Sequence, residues 1–231
     1  ELVDINFGIR RGSADWIHMN SVDYNAKLDQ IVLSARWFDE AWVIDHSTTM
    51  EEAAGHSGGK HGTGGDLLYR WGNPESYFAG FPFDRQFYAQ HDVRWIDDGL
   101  PGEGNFLIFN NGDRRADRGY SSVDEFKPPL LKDGSYQLPA DAGFGPDAFS
   151  WSYKEEGVFY SERISGAQRL PNGNTLICAG SQAWAFEVTS EGQRVWEFEI
   201  GDIETGIRSE AGLFRAPFYA KEYAGIKALL K

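Results

Sequence analysis

Arg163-Ile164-Ser165-Gly166-Ala167-Gln168-Arg169-Leu170, Pro171-Asn172-Gly173, Asn174-Thr175-Leu176-Ile177-Cys178-Ala179, Ala183-Trp184-Ala185-Phe186-Glu187-Val188 and Arg194-Val195-Trp196-Glu197-Phe198-Glu199 follow one another between Arg163 and Glu199. The first and second segments are strand-sized and joined by a Pro-Asn-Gly turn. The third alternates apolar and polar residues, Thr189-Ser190-Glu191-Gly192 turns the chain, and the fourth alternates again. Period-two apolar patterning broken by residues that tolerate positive φ predicts four antiparallel strands. A unit of four strands and about forty residues has the size of one β-propeller blade.

The same pattern recurs upstream with longer connections. Trp16 to Tyr24, Asp29 to Arg36, Ala41 to Asp45 and Leu67 to Trp71 read as one blade, with a glycine-rich loop over residues 51–65 inserted before its last strand. His91 to Ile96, Asn105 to Asn110, Ser122 to Phe126 and Phe149 to Tyr153 read as another. Innermost strands begin at regular intervals, 73 residues from His18 to His91 and 74 from His91 to Ser165. The fold class expected is therefore all-β, a β-propeller of which residues 1–231 supply three to four blades as a single partial domain. Three blades do not close a ring of the usual four to eight, so the remaining blades are expected from the same or another chain. Only Met50 to Ala54 and Lys221 to Lys231 read as short helices.

Composition sets outer bounds. Of the 231 residues, 41% are apolar and 15% aromatic, which supplies a packed core rather than a disordered chain. The net charge of −13 opposes binding modes that neutralise phosphates with bulk positive charge, so nucleic acid is not an expected partner. No apolar run reaches the ~18 residues of a transmembrane helix. The single cysteine, Cys178, excludes an internal disulfide framework and multi-cysteine metal sites. The first residues, Glu1-Leu2-Val3-Asp4-Ile5, show no initiating Met and no signal-peptide pattern, so localisation has to be read from other features.

All five histidines, His18, His46, His56, His61 and His91, fall in the first ninety-one residues. A lone imidazole is usually a hydrogen-bonded structural group. His18 and His91 differ because each opens a predicted innermost strand, and those strands line the channel in which propellers bind ligands. The segment Gly55 to Gly65 reads as a loop near the channel mouth. It lacks the phosphate-loop pattern, since Ala54 stands five before Gly59 and His61 follows Lys60. His56 and His61 lack a third ligand at a fitting spacing, so no metal and no cofactor are expected. Arg114-Arg115-Ala116-Asp117-Arg118 follows the strand end Asn110-Asn111-Gly112, and Ser34-Ala35-Arg36 occupies the equivalent end of the preceding blade. Arginines beside two channel histidines make an anion pocket by bidentate hydrogen bonding.

The segments Asp15-Trp16-Ile17-His18-Met19-Asn20-Ser21-Val22, Leu28 to Arg36, Gln90-His91-Asp92, Phe109-Asn110-Asn111-Gly112, Asp66 to Pro74 and Gly166 to Thr175 resemble the arylsulfotransferase (aryl-sulfate sulfotransferase) family. The resemblance covers most of the chain. It implies a six-bladed propeller, commonly exported, hence a secreted or periplasmic protein, that moves a sulfuryl group from a phenolic sulfate to another phenol without a nucleotide donor.

Carried over by position, the resemblance matches His18 and His91 to two channel histidines and Arg114 or Arg115 to a sulfate-binding arginine; His18, His91 and Arg114 are the catalytic candidates, and Arg115, with Arg36, Asn110 and Ser165 at the ends of the predicted strands, the substrate-binding candidates. The family's nucleophilic histidine lies in a later blade; here its place falls at Ser165-Gly166, and no histidine follows His91. Two readings follow. In one, the protein is a sulfotransferase in which His18 or His91 attacks, or in which transfer is direct. In the other, it is a binding or structural propeller without the chemistry. A metal- or quinone-dependent oxidoreductase lacks a ligand set.

Overall fold

The structure is a computed structural model and describes residues 2–7, 13–117, 119–140, 142–200 and 212–230. Among the described residues twelve strands form three four-stranded antiparallel sheets, each a meander in chain order. The first holds β1 (Met19–Asn25), β2 (Gln30–Ala35), β3 (Glu40–Asp45) and β4 (Tyr69–Trp71). The second holds β5 (His91–Trp95), β6 (Phe106–Asn110), β7 (Ser122–Phe126) and β8 (Trp151–Lys154). The third holds β9 (Gly166–Arg169), β10 (Thr175–Ala179), β11 (Trp184–Val188) and β12 (Arg194–Glu199). The expected all-β class is therefore present, and the strand groupings are those read from the sequence. Two short helices, α1 (Met50–Ala53) and α2 (Ala224–Leu229), lie within the segments expected to be helical.

Packing explains why β6 carries the uninterrupted apolar run Phe106-Leu107-Ile108-Phe109. Successive strand side chains point to opposite faces. Phe106 and Ile108 join a cluster with Val32, Val43, Tyr69 and Trp71 of the first sheet. Leu107 and Phe109 join Ile177, Trp184 and Phe186 of the third. The second sheet is buried on both faces, so an alternating pattern would leave polar groups in a core. Strand β1 packs against β5, and β5 against β9, so the first strands of the three sheets are neighbours. By contrast β12 is exposed along its whole length and leaves Val195, Trp196 and Phe198 in solvent.

The hydrogen-bond register revises the equivalence drawn by counting. Ser21, His91 and Gly166 stand opposite Ser34, Phe109 and Cys178, each the penultimate residue of its sheet's second strand. His18 therefore precedes the true structural equivalent of His91 by three residues. Bulges between Met19 and Ser21 and between His91 and Arg94 each shift the register by one residue, and a sequence count does not see them.

The glycine-rich insertion lies at the end of the first sheet opposite Arg36. Gln30 and Asp45 pair at that end, and Asp45 accepts from the backbone N–H of His61 at 3.1 Å. Thr49 caps α1 in a reciprocal box with Glu52. His56 pairs with Asp66 at 2.7 Å, and the side-chain amide of Gln30 lies 3.2 Å from His61 Nε2. The insertion and its two histidines are thus held away from His18 and His91.

Candidate functional site

The hairpin between β2 and β3 carries the first half of the site on its tip, Arg36-Trp37-Phe38-Asp39. The turn closes with Asp39 in the left-handed region at φ 56°, a conformation that aspartate tolerates better than a branched residue. Trp37 is the hub. Arg36 lies over its ring at 4.0 Å and Arg114 at 5.6 Å, while the His18 imidazole meets it edge-on at 5.4 Å. The Trp37 indole N–H donates to Asp15 at 3.2 Å, and the same carboxylate oxygen lies 2.7 Å from His18 Nδ1. His18 is itself held at φ 54°, and an open depression of about 420 Å³ lined by Ala14 to Met19 adjoins it.

Arg114 reaches the same hub from the loop after β6. Its guanidinium donates to Asp39 at 3.0 Å and approaches Asp113 at 3.7 Å; Arg36 approaches Asp113 at 3.8 Å. The other oxygen of Asp39 takes Arg85 at 3.1 Å, and the Ala89 N–H donates to Asp39 at 2.6 Å. Asp39 is buried, so burial pushes its carboxyl up while Arg114, the Ala89 N–H and Arg85 pull it down. This buried carboxylate couples the arginines to the strand start that carries His91.

His91 is 3% exposed. Its Nδ1 lies 2.8 Å from Asn111 Oδ1 and 3.2 Å from the Ala89 carbonyl. The Asn111 amide nitrogen donates to the carbonyls of Ser161 at 2.7 Å and Ile164 at 3.0 Å, which fixes its oxygen toward the imidazole. Two acceptors face Nδ1, so that nitrogen carries the proton and Nε2 carries the lone pair. Burial pushes the His91 pKa down to about 4 against the help of Asn111; Arg36 and His18 are close enough to push it further down. With its pKa at about 4 the imidazole is neutral at physiological pH.

The remaining sequence candidates lie elsewhere. Asn110 is fully buried and spends its side chain on Tyr88 N, Gln86 O and Asp124. Ser165 is buried at φ 90°, accepts from the Gly180 N–H at 2.9 Å and lies 2.8 Å from the Ser161 hydroxyl. Arg115 turns away from Trp37 into a cavity lined by Tyr88, Tyr120 and Lys154. Arg118 lies outside the described residues. Cys178 is buried and its thiol is pushed up to about 12, which removes it as a nucleophile. Counting residues missed Asp15, Trp37, Asp39 and Asn111. The Asn110-Asn111 pair held a signal for one of them, because neighbouring residues at a strand end project to opposite sides.

Among the described residues no group of three or more His, Cys, Asp or Glu side chains is arranged to hold a metal ion. No helix among the described residues is long and apolar enough to cross a membrane.

The chain is thus an all-β protein whose strand ends gather imidazoles and guanidinium groups, a combination suited to an oxyanion and its transfer. The family model Arylsulfotransferase (ASST) matches residues 6–211, and the chain belongs to that family. No curated protein matches it. Among solved structures it is similar, at 13% identity and a TM-score of 0.41, to a protein of unknown function from Bacteroides caccae. That match covers 78% of this chain and 45% of the other, so the chain spans about half the length of the solved relative.

Proposed function

We propose that the protein transfers a sulfuryl group from an aryl sulfate to a phenol, with His91 as nucleophile and Arg36 and Arg114 holding the sulfate oxygens. The observation that carries this reading is the locked tautomer of a neutral His91 within electrostatic reach of Arg36 and His18. In the first half-reaction the Nε2 lone pair forms a bond to sulfur as the bond from sulfur to the phenolic oxygen breaks, and His18 gives a proton from its Nε2 to the departing phenolate. In the second, His18 takes the proton of the acceptor phenol, whose oxygen bonds to sulfur as the nitrogen–sulfur bond breaks. Family membership supports a propeller completed by further blades and an exported, secreted or periplasmic, location.

A second reading, a propeller that binds without turnover, is favoured by one observation. Gly166, not a histidine, occupies the third position equivalent to His91, and the neighbouring Ser165 hydroxyl is engaged in hydrogen bonds. Incubation with an aryl sulfate followed by mass spectrometry separates the two. One added sulfuryl group on His91, lost on addition of phenol, is the result expected; binding without labelling or turnover favours the second reading. His91→Ala should lower transfer by ~100 to 10,000-fold with the fold intact.

A further inference from the structure

We propose that Arg115 anchors a second ligand site, separate from His91, for an organic oxyanion with an aromatic body. The cavity it lines holds about 310 Å³, within the range of small-molecule sites. Its floor is the face of the second sheet formed by Ser122 and Asp124 of β7 and Ser152 and Lys154 of β8. Arg115 is 9% exposed, yet its side chain makes no hydrogen bond or ion pair with the described residues, and its Nε is buried without a partner. An arginine so buried, with Asp124 near it but not hydrogen-bonded to it, is costly unless something supplies acceptor oxygens.

Its neighbours are aromatic. The guanidinium carbon lies 4.4 Å from the Tyr120 ring centre and 4.9 Å from that of Tyr88. Lys154 lies 4.8 Å from the Tyr120 ring centre, and Arg85 lies 5.9 Å from that of Tyr88. Ring faces temper the charge but accept few hydrogen bonds, so the guanidinium donors remain for a two-oxygen ligand.

The acids in the wall are already engaged. Asp117 accepts from the Tyr120 hydroxyl, and Asp124 accepts from Asn110, Ser122 and Ser152. Arg85 is paired with Asp39 and Glu75, and Lys154 with Glu156. The Arg115 charge pulls the Asp124 carboxyl down against its burial, yet among the described residues no side chain hydrogen-bonds or ion-pairs with the guanidinium, so its donors stay open. The cavity exceeds the volume of a bare sulfate or carboxylate, and Phe149 provides an apolar wall for a ring attached to one.

Benzoate is the probe, with inorganic sulfate as head group alone and benzyl alcohol as body alone, titrated into the full chain by calorimetry. Saturable benzoate binding is expected, weakened about tenfold or more in Arg115→Gln and less in Arg115→Lys, and unchanged in His91→Ala. Loss in His91→Ala with retention in Arg115→Gln would place benzoate at the other site and overturn the proposal. So would absence of saturable binding to about 10 mM. Thermal melts accompany each variant; if neither Arg115 variant folds, the arginine is a structural group and the proposal fails.

Discussion

Asn111 Oδ1 accepts from His91 Nδ1–H at 2.8 Å while its Nδ2 ties down two carbonyls of the segment leading into the third sheet. One buried amide therefore sets the imidazole tautomer and ties it to the segment that enters the third sheet. Asn111→Asp would place a carboxylate against Nδ1–H and favour the imidazolium. The His91 pKa should rise above about 4, read from its ring resonances against pH, and transfer should fall as the fraction of neutral nucleophile falls.

Stability should depend on pH through the same residue. The folded pKa of about 4 lies below the ordinary value of 6.5, so as pH falls from about 6.5 the unfolded chain binds a proton that the folded chain refuses. Stability conferred by neutral burial is present above that range and lost as pH drops toward 4, by at most about 3 kcal/mol. Urea unfolding at pH 7 and pH 4.5 should show a smaller loss in His91→Gln than in the wild type; an equal loss would assign the slope to other groups.

Arg70 is fully buried and grips Glu40 with Nε at 3.0 Å and a terminal nitrogen at 2.6 Å. The Trp42 indole donates to the same carboxylate at 2.7 Å. Removing one partner leaves a buried charge without its counterion. Arg70→Met should cost about 3–5 kcal/mol in urea unfolding, and the double variant Arg70→Met with Glu40→Gln should recover part of it. No recovery would place the loss in packing rather than charge.

Gly112 connects Asn111 to the arginine pair at φ +78°, and a Cβ there would run into the Tyr120 carbonyl oxygen. Both the strain and the contact with rigid backbone oppose a side chain. Gly112→Ala should lower stability by about 1–3 kcal/mol and weaken binding of an aryl sulfate, because the turn that aims Asn111 and Arg114 must shift. A melting temperature and affinity equal to wild type would show that the turn is not the aiming device.

Strand grouping was legible because it follows from local rules. Asn172-Gly173 and Glu191-Gly192 turn the chain where positive φ is needed, with Gly173 at 88° and Gly192 at 79°. Apolar bursts such as Phe106 to Phe109 mark strands wherever they pack. The partnership of His18, Arg36 and Arg114 around Trp37 was legible only in outline, because counting residues ignores bulges and gives no contact between a strand end and a neighbouring sheet's loop.

Sequence alone determined the all-β class, the three sets of four strands and the arginines and histidines at their ends, since side-chain period and turn chemistry are properties of a few consecutive residues. Tertiary structure decided what each of those residues faces. Arg114 and Arg115 are adjacent in the chain, yet the first, at φ 67°, joins Asp39 and Trp37 while the second enters the cavity between Tyr88 and Tyr120. The φ and ψ of one loop residue, set by the packing of two sheets, turn neighbouring side chains to different sites.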